Sequence, residues 1–409
     1  MSSHKTPSPN TRSELEREIG LGVMIFYAVG VMIGGGIYVL IGNVAGLAGA
    51  LTPLIFAVAG LAAGLTAASF AELSARLPEA GGSATYTLHG FNSQTLSIIV
   101  GFAVALTGLL SAGAVLQGGV GYLQALVSAP STLLIVTVGI ALTALAIWGA
   151  LESLSTAAVL ALIEILGLLI VIAAAFFGDA QPNAVDHSIA ATAPPISLGP
   201  LMGAVILAFF AFIGFEDVVN MAEEARNPSR TMPLALLVSF VIVILIYGCV
   251  AVAALHVVTP AELQASERPL ALVYEQATGK PASFIALIGV AAALNGVLAQ
   301  IVMSARILLS LGRRTPALSW FGVTHPRLKT PMRATILTGT VVIILALTIR
   351  LEGLASATSL ILLGVFVLIN IALIRIKRTS VSSPFNLPIW IPYAGAIVSA
   401  IILVGALIS

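Results

Sequence analysis

The chain has 409 residues, 59% hydrophobic and 9% charged, with a mean hydropathy of +1.09. Soluble domains carry about 25% charged residues, so this composition excludes a water-soluble globule and points to an all-α, polytopic membrane protein. The near balance of 18 Lys and Arg against 17 Asp and Glu leaves no basic stripe for nucleic acid, and a lone Cys249 with five scattered histidines argues against a disulfide, a metal site or a bound cofactor.

In chain order, Met1 to Glu18 is polar, holds Lys5, Arg12 and Arg17, and lacks the short apolar core and cleavage site of a signal peptide. It reads as a cytoplasmic tail. About 20 apolar residues cross the hydrocarbon core as a helix. Cutting the chain wherever charge, Pro or Asn interrupts such runs gives eleven spans: 19–43, 49–73, 93–125, 131–149, 156–177, 198–223, 233–256, 281–311, 332–350, 353–374 and 390–408. With the N-terminus inside, every Lys and Arg except Arg268, Lys280 and Arg350 falls on the cytoplasmic side, as the positive-inside rule requires. One missed or invented span in the middle scrambles that bias, so it supports both the count and the orientation. The C-terminus is expected outside, and the chain in the plasma (inner) membrane.

Two spans depart from plain Leu, Ile, Val and Ala helices. The first carries Gly34, Gly35 and Gly36 in succession near mid-membrane. Each interior glycine costs about 1 kcal/mol of helix stability relative to alanine, which predicts a break. The sixth runs Phe209 to Asp217 and sets Gly214, Glu216 and Asp217 inside an apolar stretch, where a charge costs about 2.5–3.5 kcal/mol at the bilayer centre. Irregular backbone at that depth is tolerated only against protein or a cavity. Breaks at matching ordinals of two halves mark the substrate site of an inverted-repeat transporter. The expected organisation is therefore a tail over 1–18, a first five-helix repeat over 19–177, a second, inverted one over 198–376, and an additional eleventh helix over 388–409. Close helix packing by the glycines, and a buried network role for the two acids, are the plainer readings of the same residues.

Several motifs carry a resemblance. The triple glycine followed by Ile37, the stretch Ala71-Glu72-Leu73-Ser74-Ala75-Arg76-Leu77-Pro78-Glu79-Ala80-Gly81-Gly82-Ser83, and Gly214-Phe215-Glu216 followed by Glu223 to Pro233 form one set. Ser304-Ala305-Arg306 and Thr330-Pro331 complete it. Together they are similar to the amino acid, polyamine and organocation transporter superfamily, with its LeuT-like fold of five plus five inverted helices. The resemblance extends from about Glu16 to the eleventh span, one span short of the twelve in many relatives. It implies a secondary active transporter that moves an L-amino acid by alternating access.

The resemblance also implies a site. The N–H groups of Gly34, Gly35 and Gly36, at the positive end of a half-helix, receive the substrate carboxylate. The carbonyls of Ile33, Phe210, Ala211 and Ile213, beside Gly214, take its ammonium, with the Phe210 ring as a gate or, on the plainer reading, a packing residue. Thr107, Gly108 and Ala112 of the third span line the side-chain pocket. That span contains no acid, which favours a small or medium neutral amino acid over a cationic one. Glu216 keeps cationic cargo open, and the matching glutamate of relatives serves gating.

For coupling, matching Glu152-Ser153 and Leu160 to Ile165 to the family pattern sets Glu164 where proton-driven relatives carry a lysine and sodium-driven ones bind sodium. Glu164 is the one ionisable residue of the fifth span. It reads as a proton carrier, with a cation ligand or a satisfied structural acid as alternatives. Asn295 near the middle of the eighth span is placed in this region, beside Ala299, by helix position alone, with a plain hydrogen bond across helices as the alternative. A proton is the expected coupling ion, sodium the alternative. The expected partners are an amino acid and the lipid bilayer. An exchanger of cationic amino acids or polyamines is the second reading; a non-transporting membrane subunit or nutrient sensor is the third. An enzyme lacks its nucleophile, base and orienter, and a channel its repeated filter.

Overall fold

A computed structural model describes residues 19–79, 81–149, 154–178, 198–314, 316–379 and 383–408, the side chains of 154–157, 314 and 317 excepted. The expected tail 1–18, Ala80 of the second motif, and Glu152 and Ser153 lie outside the described residues.

The helices are α1 (Leu21–Ala48), α2 (Thr52–Arg76), α3 (Gly82–Phe91), α4 (Gln94–Gln124), α5 (Ser131–Trp148), α6 (Leu154–Phe177), α7 (Leu198–Ala211), α8 (Phe215–Val218), α9 (Pro228–Val257), α10 (Pro260–Ala265), α11 (Pro269–Thr278), α12 (Ser283–Arg314), α13 (Met332–Thr348), α14 (Leu351–Thr379) and α15 (Trp390–Ile408). The eleven expected spans correspond to α1, α2, α4, α5, α6, α7 with α8, α9, α12, α13, α14 and α15. No strand occurs among the described residues. The helices α3, α10 and α11 were not anticipated from the sequence. They are too short to register as spans and lie in the connections.

Local sequence sets the helix ends. Ser93 accepts a hydrogen bond from Leu96 N and caps α4. Pro228 occupies the first turn of α9, where its missing N–H costs nothing. Gly149 and Gly279, both left-handed, close α5 and α11. Thr259 and Glu262 form a reciprocal capping box at the start of α10.

Packing pairs α1 with α7, α2 with α9, α4 with α12 and α5 with α13, and α15 lies across α14, α2 and α7. Rings of Phe56, Phe212, Tyr247, Phe240, Phe215, Phe70 and Phe366 form a continuous chain of mostly edge-on contacts from α2 through the sixth span to α14. Leu61, Ile140, Leu245, Leu287 and Ile401 point outward and are exposed, as a lipid-facing surface demands.

Two of the buried polar side chains show how such groups are matched inside the bundle. Asn370 of α14 donates to Thr66 Oγ1 at 2.9 Å and to the Phe366 carbonyl at 2.8 Å, and accepts from Ser69 at 2.6 Å. At one end of α2, Glu72 is fully buried and takes Arg76 Nη2 at 2.7 Å, Lys377 Nζ at 2.6 and 2.8 Å, and Leu387 N at 3.0 Å. That cluster ties α2 to α14 and to the segment leading into α15.

Candidate functional site

Both expected breaks are present. In α1, Gly34 leaves helical geometry with φ 1° and ψ −166°. In the sixth span α7 stops at Ala211, a turn follows, and α8 restarts after Gly214 at φ 124°. Only glycine suits that position. Besides its positive φ, a Cβ there would stand 2.8 Å from the Val31 carbonyl oxygen of α1. The other glycines of the first break also allow close approach: a Cβ on Gly35 would fall 2.5 Å from Val115 Cγ1, and one on Gly36 3.1 Å from Ala211 Cα. The two interrupted helices therefore touch each other at their breaks.

Tyr247 of α9 joins them. Its hydroxyl lies 2.9 Å from the Met32 carbonyl, 3.4 Å from that of Ile33 and 3.0 Å from that of Ala211. Two of the carbonyls expected to face an ammonium, Ile33 and Ala211, thus have a donor of the protein's own. The Phe210 carbonyl accepts from Ile213 N at 3.1 Å. Sequence reasoning missed Tyr247, because a tyrosine in an apolar span gives no hint of where its hydroxyl ends.

Beside the second break a small cavity opens between α4, the sixth span, α12 and α14. Thr107, Gly108, Ser111, Ile213, Glu216, Asp217, Gln300 and Thr358 are among its walls. Its free space is about 10 Å³, room for about one water, so helices must separate before it admits an amino acid. Thr107, Gly108, Ile213 and Glu216 of the expected site meet here. Ala112 and Phe210 are not among its walls, and Phe210 is buried. Glu216 accepts from Gly214 N at 2.9 Å, and Asp217 accepts from Gln300 Nε2 at 3.2 Å. Among the described residues no cation pairs with either carboxylate. The Thr107 and Thr358 hydroxyl protons go to the Val104 and Leu354 carbonyls of their own helices. What these walls turn inward is therefore mostly acceptor. Asp217 was singled out from the sequence with Glu216 as an acid inside an apolar span, whereas Gln300 and Ser111 were not; Asp217 and Gln300 come from spans far apart in the chain.

The third cluster surrounds Glu164 of α6, which is 1% exposed. Asn295 Nδ2 lies 3.5 Å from its Oε1, and the Tyr38 hydroxyl donates to its backbone carbonyl at 2.7 Å. Tyr38 sits one turn beyond the first break. Its own carbonyl accepts from Tyr122 of α4 at 2.9 Å, and the Tyr122 hydroxyl accepts from Leu270 N of α11 at 3.2 Å. The structure therefore brings Glu164 and Asn295 together and connects them through α1 to the first break. Glu216 belongs to the separate cavity described above. Among the described residues no His, Cys, Asp and Glu grouping is built to hold a metal.

The sequence profile of a family described as amino acid permease matches residues 19–409. The chain belongs to the amino acid permease family. It is a transporter and not an enzyme. The branched-chain amino acid permease BcaP of Bacillus subtilis is 28% identical over 392 residues, covering 90% of this chain and 83% of the relative. The uncharacterized transporter Rv1999c of Mycobacterium tuberculosis is 31% identical over 345 residues, 83% of this chain and 76% of the relative. Cationic amino acid transporter 3, mitochondrial, of Arabidopsis thaliana is 26% identical over 399 residues, 92% of this chain and 65% of the relative. For this permease, the polytopic all-α fold and amino acid transport agree with the sequence reading.

Proposed function

We propose that the chain carries a small or medium neutral L-amino acid across the plasma membrane by alternating access, coupled to protons through Glu164. The observation that carries this reading is the contact of the two helix breaks, with Gly36 against Ala211, Gly214 against Val31, and the Tyr247 hydroxyl within hydrogen-bonding distance of carbonyls on both. The carboxylate sits at the N–H groups of Gly34, Gly35 and Gly36, the ammonium at the carbonyls of Ile33, Phe210, Ala211 and Ile213, and the side chain toward Thr107 and Gly108. Val104, Met303 and Leu362 add apolar wall to that cavity, and the name of the Bacillus relative supports a neutral cargo. The second reading, a cationic amino acid or diamine, is favoured by Glu216 and Asp217 in the same walls and by the name of the Arabidopsis relative.

The organisation that goes with this reading is two inverted halves, 19–177 and 198–376, with an added helix over 388–409, the N-terminus cytoplasmic and the C-terminus outside. The pairing of α2 with α9, α4 with α12 and α5 with α13 supports the halves, since each pair joins a span of one half to its counterpart in the other. The distribution of Lys and Arg supports the orientation.

The test is uptake into proteoliposomes. A pH gradient drives accumulation of a neutral amino acid, and Glu164→Gln abolishes the drive while exchange of unlabelled for labelled substrate persists. Uptake that needs sodium and ignores the proton gradient overturns the coupling. Uptake of lysine or putrescine in preference to leucine or alanine moves the cargo to the second reading.

A further inference from the structure

Between Glu275 and Glu352 the sequence holds no Asp or Glu, yet the last turns of α12, the connection that follows and the first turn of α13 carry Arg306, Arg313, Arg314, Arg327, Lys329 and Arg333. Topology is set by Lys and Arg and is nearly indifferent to Asp and Glu. Charge sorting therefore accounts for the cations and not for the missing acids.

The connection is folded onto itself. Arg313, at the end of α12, donates to the Gly322 carbonyl at 3.4 Å. Arg333, at the start of α13, donates to the Trp320 carbonyl at 3.2 Å, and its guanidinium stands 5.0 Å above the Trp320 ring. Cations from both ends of the connection thus converge on the short 3-10 helix Pro316–Phe321. The arrangement is fixed by a backbone contact so close that a Cβ on Gly312 would fall 2.6 Å from Gly322 N. The Thr330 hydroxyl also donates to the Ile147 carbonyl of α5 at 2.8 Å.

Prominent in what this segment offers outward are its charges and one aromatic ring. Arg306, Arg313, Arg327, Lys329 and Arg333 are exposed, and none of them forms an ion pair among the described residues. Trp320 is 59% exposed. Tryptophan concentrates at the headgroup level of a bilayer, guanidinium groups pair with phosphate in two-pronged geometry, and basic clusters beside membrane helices attract anionic lipid.

We propose that this folded connection is a binding surface for the phosphodiester headgroup of an anionic phospholipid of the surrounding bilayer. Trp320 is the interfacial anchor, and Arg313, Arg327, Lys329 and Arg333 are the charged contacts. The site is independent of the cavity and of the breaks, so it stands or falls apart from the transport reading.

The experiment is native mass spectrometry of the full chain released from micelles holding phosphatidylglycerol and phosphatidylcholine in equal amounts. The wild type retains phosphatidylglycerol in preference, and rising salt erodes the preference. The R313Q/R327Q/K329Q variant lowers the retention ratio at least about tenfold, from about fivefold per basic residue. R375Q/R378Q, at the exposed basic end of α14, leaves it unchanged. Equal retention of the two lipids by the wild type overturns the proposal, as does an unaffected triple variant or an equal loss in the α14 variant. Should the triple variant fail to insert, the wild-type salt series and W320A decide: preference insensitive to both overturns it, and preference lost in both supports it.

Discussion

At one end of α2 and α14 the buried carboxylate of Glu72 meets two cations, Arg76 and Lys377, whereas at the break in the sixth span Glu216 and Asp217 meet an amide each. Both sites are acid groups withdrawn from water, and both are hydrogen-bonded. The difference is that the first is complete. Its charge is neutralised from within the protein, and its partners come from helices that it holds together. The second leaves its charge to be balanced by a proton or by whatever enters the cavity. A buried acid that brings its own cation is part of the frame; one that does not is the kind of group the proposed transport reading needs.

Removing one partner separates the two kinds of site most sharply at Glu72. Breaking a buried ion pair costs about 3–5 kcal/mol, because the remaining charge is stranded. E72Q therefore lowers the thermal midpoint of the purified protein more than any other change named below, and K377M, made on top of it, recovers part of the loss. A midpoint unmoved by E72Q breaks the comparison.

Tyr247→Phe comes next. It deletes a hydroxyl shared by three carbonyls at the edge of the second site, at a cost of about 1 kcal/mol for a net hydrogen bond plus what the abandoned carbonyls lose. Its larger signature is functional, a changed KM for uptake with the fold retained, which circular dichroism checks. Glu216→Gln keeps an acceptor for Gly214 N and removes a titratable proton at a carboxyl that no cation among the described residues pairs with, so stability changes by less than about 1 kcal/mol while the pH profile of uptake changes. If E216Q destabilises as strongly as E72Q, the two sites are the same in kind.

The smallest effect is at an acid outside the membrane altogether. Hydrogen bonds from the Thr259 hydroxyl and N–H hold the Glu262 carboxyl below the ordinary glutamate value of 4.5. A lowered folded-state value adds stability above the unfolded value and loses it as pH falls through the folded one. The protection of the 261–265 amides, taken relative to the intrinsic exchange rate at each pH, should therefore fall on acidification below about 4.5; in E262Q it shows no such step.

The sequence displayed the fold well because each span is an apolar run bounded by charge, Pro or Asn, and bilayer thickness fixes how long such a run must be. Gly34 and Gly214 were legible as breaks for the same reason: glycine and acid inside an apolar run contradict their surroundings. The short helices α3, α10 and α11 were not, since amphipathic segments of ten residues or fewer look like connection. Pairwise chemistry was legible only in part. Asn295 beside Glu164 followed from helix position, but Gln300 with Asp217, Lys377 with Glu72 and Tyr247 with Met32 join residues 83, 305 and 215 positions apart. No local pattern encodes which of many polar residues will meet after folding. Phe210 shows the converse, a residue placed by resemblance whose ring the packed bundle keeps out of the cavity walls.

The Tyr247 hydroxyl has one proton and three carbonyls within reach. It can satisfy one at a time, and it already offers the breaks what an ammonium group would offer. On the proposed placement of the ammonium at these carbonyls, a substrate would exchange one hydrogen bond for another instead of gaining a new one, and its net hold on the protein would be modest. For a receptor that would be a defect. A carrier works only if it lets go on the far side, and a resident stand-in that takes the carbonyls back at each release keeps the loaded state from becoming a trap.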